Sequence, residues 1–235
     1  MQYLNRSSAI MQPTYLPWLG YFNLIESVEN FVFFDDVKLL KRSWHVRNKI
    51  IEKYETEKYL TIPVIFENKN QSIIKDAKVD DSQKWRKKHL SSIKFNYKKH
   101  EFFEQIFPLL EKNISSKNSF LIDITVPIII DISNLLGLRS NFIFSSDIDY
   151  FGKNQASLIS ICKYLNTSNY ISPIGSKDYI LNDNEFKLAS INLKWHEYNH
   201  PVYPQKNNCN FISHLSIIDA LFNLGINGTK KLIRD

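Results

Sequence analysis

The stretch SAIMQPTYLPWLGYFNLIESVENFVFFDD, residues 8 to 36, decides the fold. Its first four residues are a short run of the kind that is buried. The loop PTYLPW follows, and Leu19, Phe22, Ile25 and Val28 then recur at helical spacing. Phe31 to Phe34 is aromatic and β-branched and is bounded by Asn30 and Asp35, so it reads as a second buried strand. Strand, helix and strand in succession predict a parallel βαβ unit, because parallel neighbours need a long crossover.

Working outward, Tyr59 to Phe66 is a third strand candidate, with Pro63 demoting it to a sheet edge or a bulge. The middle reads as helix over Ser82 to Tyr97, over Glu101 to Lys112 with Pro108 marking a kink or break, and over Ser119 to Leu136 with Gly137 just past its end. Alternation then resumes: Asn141 to Ser145 as strand, Gln155 to Leu165 as helix, Tyr170 to Ser172 as strand. Asn182 to Ala189 follows as helix, Leu193 to Tyr198 as strand and Leu215 to Leu224 as a closing helix. The expectation is one α/β domain over residues 1 to 235, with a mainly parallel, Rossmann-like sheet and a helical insertion at about residues 82 to 136. Its strands are expected near residues 8–11, 31–35, 60–65, 141–145, 169–172 and 193–198.

A chain of 235 residues that is 43% hydrophobic and 14% aromatic can bury enough apolar surface to offset its ordering entropy, which excludes a disordered chain. No run approaches the roughly 18 apolar residues of a membrane span. The longest, around Val126 to Ile130, contains Pro127 and ends at Asp131. Met1 to Ile10 carries a single Arg6 and no apolar segment of a signal peptide, so the expected compartment is cytoplasmic. Cys162 and Cys209 stand in neither a CxxC nor a Cys/His spacing, so neither a disulfide framework nor a metal centre is expected.

The 30 Lys+Arg exceed the 24 Asp+Glu and leave a formal charge of +6. A bias toward Lys, Ile and Asn of the kind AT-rich coding produces makes that total weak support for a polyanionic partner. The densest basic stretch, Lys84 to Lys99, has Trp85, Phe95 and Tyr97 among its lysines. As a helix it places Trp85, Leu90, Ile93 and Tyr97 on one apolar stripe and leaves the lysines to water, the ordinary role of such a run.

Three clusters carry candidate chemistry. Gln12 to Phe22 lies after the first strand and enters the first helix, where open α/β sheets bind ligands; Tyr15, Trp18 and Tyr21 supply stacking faces and Gly20 allows close approach. Asp35 and Asp36 end the second strand and are followed by Arg47, Asn48 and Lys49, a donor set suited to phosphate or carboxylate. Adjacent residues on a strand point to opposite faces, so at most one of the two carboxylates is expected to function, the plain alternative being a turn cap paired with a neighbouring base. The third cluster comprises SPIGSKDY, residues 172 to 179, with Lys177 and Tyr179, and HPVYPQ, residues 200 to 205, with His200, Tyr203 and Gln205. Pro201 holds His200 extended, and His200 is the best placed of the six histidines for proton transfer. Cys162 sits on an amphipathic helix and reads as an inert buried thiol. Asp219 reads as a residue that pairs or caps within the closing helix.

Six words in order resemble the WbqC-like protein family: QPTYLPWLGYF (12–22), FFDDV (33–37), SWHVRNKI (43–50), SPIGSKDY (172–179), HPVYPQ (200–205) and LSIIDALFNLG (215–225). Members are bacterial and many are encoded within surface-polysaccharide loci, so the resemblance implies a role in making O-antigen, lipopolysaccharide or a related glycan. Its association with sugars bearing glycyl-type groups implies transfer of an acyl or aminoacyl unit onto an amino-sugar nucleotide or glycan precursor. The donor is open between aminoacyl-tRNA, an acyl thioester and an ATP-activated amino acid, and no cofactor is defined. In this reading Asp36 and His200 move protons. Gln12, Tyr15, Trp18, Arg47 and Asn48 bind substrate, as do Lys177, Tyr179, Tyr203 and Gln205. Because each word follows a predicted strand, these residues are expected to line one cleft.

The alternatives are a non-catalytic binding or assembly component of the polysaccharide machinery and an adenylate-forming amide ligase. The strand, loop and helix also look like the nucleotide-binding corner of the HUP class, whose ligases carry a His-x-Gly-His word. Here Trp18 and Tyr21 stand in those places, which leaves Arg47, Lys49 and Lys177 as the cations able to meet developing phosphate charge. Nucleic acid enters only as the carrier of an aminoacyl donor, since no RNA-binding motif is present.

Overall fold

Residues 6–52, 56–66, 72–178, 180, 182–206 and 210–234 are described by a computed structural model. The chain begins with β1 (Ser7–Met11), α1 (Leu19–Glu26) and β2 (Asn30–Phe33), followed by β3 (Arg47–Glu52), β4 (Thr56–Thr61), β5 (Val64–Ile65) and β6 (Lys78–Val79). Three helices come next: α2 (Trp85–Tyr97), α3 (Phe103–Ile114) and α4 (Ile122–Leu136). β7 (Asn141–Phe144), α5 (Gln155–Tyr164), β8 (Asn169–Pro173), α6 (Asn184–Leu188), β9 (Asn192–His196) and α7 (Ile217–Arg234) complete it. These elements form two compact units, one of Met1–Gln12, Asn23–Asp36 and Arg139–Asn199, the other of Pro13–Phe22, Val37–Leu138 and His200–Asp235.

The first unit is built on a five-stranded sheet in the order β7, β2, β1, β8, β9, every pair parallel. This is the α/β, Rossmann-like core that the opening βαβ pattern predicts. Alternate side chains leave opposite faces of β2. Val32 joins Ile10, Leu158, Ile161 and Phe186 in a buried cluster under α5 and α6, while Phe31 and Phe33 turn the other way. Phe33 stacks on Phe142 of β7 with centroids 5.4 Å apart. The chain works outward from β1 first to β2 and β7 and then, on the other side, to β8 and β9, so the strand order reverses between β1 and β8. In sheets of this type the crevice at such a reversal, outside the carboxyl ends, is where ligands bind.

The second unit corrects one sequence expectation. The 60–65 segment does not join the parallel sheet. Pro63 divides it: Leu60 and Thr61 belong to β4, which pairs antiparallel with β3 in the register Arg47↔Thr61, and Val64–Ile65 pairs with β6. No helix lies between β2 and β3, so the chain has no crossover with which to add a parallel strand there. Pro108 and Pro127 prove compatible with α3 and α4, which run through them. On α2 the buried stripe is Trp85, His89, Ile93 and Tyr97; His89 takes the place expected for Leu90, because positions four apart lie over one another. α7 bends at Gly225, whose φ is 66°, just where the apolar pattern of the closing helix ends. A Cβ at Gly225 would stand 2.7 Å from the ring of Phe102, so both backbone and space require glycine. Tyr97, Phe103 and Phe222 stack where α2, α3 and α7 meet, with centroids 4.7 and 5.5 Å from Phe222. Among the described residues no helix is long and apolar enough to cross a membrane.

Candidate functional site

In the first unit, the carboxyl edge of the sheet carries two carboxylates that converge. Asp35 is buried, and its carboxylate accepts from Ser146 N–H at 3.1 Å and Ser146 Oγ at 2.8 Å. Ser145 Oγ lies 3.0 Å from Asp35 Oδ1 and 2.6 Å from Asp36 Oδ1. A hydroxyl has one proton, so Ser145 donates to one carboxylate at a time, and the shorter contact favours Asp36. Tyr150 donates to the other oxygen of Asp36 at 2.9 Å. Burial, and then Asp36 itself, hold the Tyr150 hydroxyl well above the ordinary tyrosine pKa, so it stays a donor. The expectation that Asp35 and Asp36 face opposite ways is corrected: both lie beyond the end of β2, where the pleat no longer dictates direction, and both reach Ser145.

Gln12, half-buried, follows β1 on the same sheet edge, and Lys177 lies in the turn after β8. The Lys177 ammonium sits 5.2 Å from the Trp195 ring centroid, which aims it by a cation–π contact. Tyr179 lies outside the described residues.

In the second unit, the loop after Gln12 is pinned at three points. Tyr15 N–H donates to Trp44 O at 3.1 Å, Asn48 Nδ2 donates to Leu16 O at 2.7 Å, and Ile217 N–H donates to Pro17 O at 2.8 Å. Leu16 has a φ of 46°, a left-handed turn these bonds hold in place. The loop thereby delivers Trp18 flat against Gly20, whose missing Cβ would fall 2.3 Å from the indole. Glycine here makes room for the Trp18 ring.

Over Trp18 lie two imidazoles. His200 stacks on it at 6.0 Å with planes 10° apart, His214 is 5.1 Å from it, and the two imidazoles are 4.8 Å from each other. Phe211 closes a further side, 5.8 Å from His200 and 5.2 Å from Tyr203. His200 Nδ1 is 3.0 Å from the carbonyl of Pro201. A carbonyl only accepts, so Nδ1 carries the hydrogen and Nε2 the basic lone pair. Burial lowers the pKa of His200, and the neighbouring His214 lowers it further, so the imidazole is neutral at neutral pH.

Behind this face is Asp219, which the sequence alone places as a partner within the closing helix. It has no exposed surface, and its carboxylate accepts from Tyr97 OH at 2.9 Å, Tyr203 OH at 2.9 Å and Gln205 Nε2 at 3.0 Å. Tyr97 OH in turn accepts from Ile51 N–H at 3.0 Å, which ties β3 into the network. Gln205 is held at both ends of its amide by the backbone of Ile212. Burial pushes the pKa of Asp219 up to about 6 against the opposing effect of its three donors. The expected pairing within α7 is therefore corrected: the carboxylate points out of the helix and gathers α2 and the 203–205 loop around it.

Trp18, His200, Tyr203 and Gln205 thus come together around His214 and Asp219, which sequence reasoning does not place among the site residues. Tyr15, Arg47 and Asn48 lie in the same unit in other settings. Tyr15 has no exposed surface and its hydroxyl is 3.0 Å from Nδ1 of His89, whose own pKa burial pushes down to about 4. Arg47 stacks over Tyr59 at 4.6 Å, and buried Asn48 serves the loop as described. Lys49 pairs with Glu57 at 2.7 Å. Asp36, Gln12 and Lys177 belong to the first unit. Among the described residues no three His, Cys, Asp or Glu side chains gather as a metal ion requires.

A five-stranded parallel sheet with helical crossovers makes this an α/β protein with a Rossmann-like core, and its second unit carries a buried carboxylate beside a stacked tryptophan and imidazole pair. The chain belongs to the WbqC-like protein family, which matches it over residues 12–231. It is 28% identical over 226 residues to the uncharacterized protein Rv1507c of Mycobacterium tuberculosis (strain ATCC 25618 / H37Rv), a similarity covering 92% of this chain and 93% of that protein. No solved structure matches the chain.

Proposed function

We propose that this protein transfers an acyl or aminoacyl unit to the amine of an amino-sugar nucleotide or glycan precursor in surface-polysaccharide synthesis. One observation carries the reading: the His200 imidazole, its tautomer set by Pro201 O, is held against Trp18. An amine attacking an acyl carbonyl forms the C–N bond and must shed a proton as the donor's leaving group departs. Nε2 of His200 takes that proton and returns it to the leaving group. His214, exposed and left-handed at φ 58°, lies against His200 and swings aside to admit substrate in this reading. Family membership supports the polysaccharide setting, as the resemblance in the six words implies. Asp36 is kept as a second proton-transfer group and Lys177 as a phosphate ligand, both at the carboxyl edge of the parallel sheet.

The test is a screen of purified protein against amino-sugar nucleotides with aminoacyl-tRNA, acyl thioester, or ATP plus glycine as donor. A new amide, detected by mass spectrometry and lowered about 100-fold or more in rate by His200→Gln, supports the assignment. No amide with any donor, together with no sugar nucleotide that raises the melting temperature, overturns it.

A further inference from the structure

The basic stretch that reads from sequence as a solvated face borders a built groove. A depression of about 420 Å³ runs between α2 and α3, with Leu90 and Phe107 as its apolar floor and Lys87, Ser91 and Lys94 along one wall. Its end is held open by Arg86, which is committed to structure: Nε donates to Asp81 at 2.9 Å, and Nη1 and Nη2 donate to the carbonyls of Ile114 and Asn118 at 3.0 and 2.6 Å. Glu111 and Ser115 of the facing chain complete the lining.

Lys87, Lys94 and Lys98 are exposed and stand three to four residues, or twice that, apart on one helical stripe with Ser91. At about 1.5 Å rise per residue the three lysines are spread over about 16 Å of helix, within reach of several phosphates of one nucleic-acid strand. The apolar stripe of α2 is buried inside the unit, so this helix has no greasy face with which to enter a membrane. What the groove offers instead is an open depression with an apolar floor beside a row of cations, an arrangement that suits single-stranded nucleic acid with an unstacked base and its flanking phosphates. The volume suits one nucleoside. Glu111, lining the depression, repels phosphate from the floor and can accept from the exocyclic amine of a base.

We infer that the groove between α2 and α3 docks a single-stranded RNA end, with one base in the depression over Leu90 and Phe107 and the adjoining phosphates on Lys87, Lys94 and Lys98. This deepens the transfer reading by naming the carrier of the aminoacyl unit and rests on it for the choice of RNA. Its test measures binding without turnover, so either can fail alone.

The experiment is fluorescence anisotropy of the full chain with a labelled single-stranded RNA of about a dozen nucleotides, titrated at several salt concentrations. Lys87→Gln, Lys94→Gln and Lys98→Gln combined should weaken binding about tenfold or more and lower the slope of log affinity against log salt by about 2, at about 0.7 for each phosphate that no longer meets a lysine. The same charge change at exposed Lys153, Lys163 and Lys194 should alter affinity less than about twofold. Ser91→Trp, on the exposed side of α2, fills the depression and should weaken RNA binding with the salt slope kept. Circular dichroism of each variant checks that it folds. Equal losses from the two lysine triples, an undiminished affinity in Ser91→Trp, or binding to phosphatidylglycerol vesicles without binding to RNA would each overturn the inference.

Discussion

Replacing Asp219 by Asn isolates what a buried carboxylate does to this protein. Asp219 accepts three hydrogen bonds, yet burial outweighs them and raises its pKa from 3.8 to about 6. A raised carboxylate pKa means that the folded state holds the proton more tightly than the unfolded chain does. The stability contributed by that proton is fully present below about pH 4 and is lost as pH rises through about 6. A rise from 3.8 to about 6, at about 1.4 kcal/mol for each pH unit, makes the loss about 3 kcal/mol by neutral pH. Asparagine cannot ionise. Its Oδ1 can face Tyr203 and Gln205, but its Nδ2 then faces Tyr97, whose oxygen already accepts from Ile51 N–H. The Tyr97 proton loses its acceptor, a pH-independent cost of about 1–3 kcal/mol.

The advantage of the native protein over Asp219→Asn should therefore be largest near pH 4 and shrink by about 3 kcal/mol by about pH 7.5, where the variant is nearly as stable or more so. Guanidinium unfolding followed by tryptophan fluorescence at a series of pH values measures this, and other titrating groups cancel in the difference. A difference that stays flat within about 0.5 kcal/mol, or grows with pH, would refute the reasoning.

Three further perturbations test neighbouring parts of the structure. His214→Gln should raise the pKa of His200, since His214 adds to burial in holding it down; an imidazole titration by NMR that is unmoved or moves downward contradicts the stacked pair. Gly20→Ala puts a methyl 2.3 Å from the Trp18 ring and should cost about 1–3 kcal/mol, with a changed Trp18 emission; an unaltered melting temperature would mean that the indole does not lie there. The thiol of Cys162 is buried and its pKa is pushed far up, so in a Cys209→Ser background a disulfide reagent at about pH 8 should label unfolded but not native protein.

The parallel sheet is legible in the sequence because its strands are short apolar runs separated by helical periods, and FVFF has no other economical burial than between two neighbours. The β3–β4 hairpin is not. Arg47-Asn48-Lys49-Ile50-Ile51 reads as a string of donors until its alternation is weighed against Thr56–Thr61, whose outward residues are charged on an exposed face. A half-solvated hairpin carries few apolar residues, so its period is easily lost among lysines. Tyr59, at the start of the third strand candidate, lies on the open side of the hairpin, 45% exposed, under the Arg47 guanidinium.

The site divides in the same way. Trp18, His200, Tyr203 and Gln205 are visible because prolines and aromatics mark loops that must hold a shape, and loops held in shape after strands are where function collects. Asp219 carries a signal of its own: with Leu215 and Phe222 it falls on one stripe at helical spacing, and an acid on a buried stripe needs donors from elsewhere. Periodicity can say that such donors must exist. It cannot say which, because Tyr97 is 122 residues away and reaches Asp219 only after α2 has packed on α7. His89 shows the same limit from the other side, since its place on the buried stripe of α2 makes a residue inside the densest basic stretch a neutral imidazole against Tyr15. Charge in this sequence is therefore a poor guide to charge in the folded protein wherever a helix face is buried, and the lysines of the opposite face of α2 are the charges that stay at the surface.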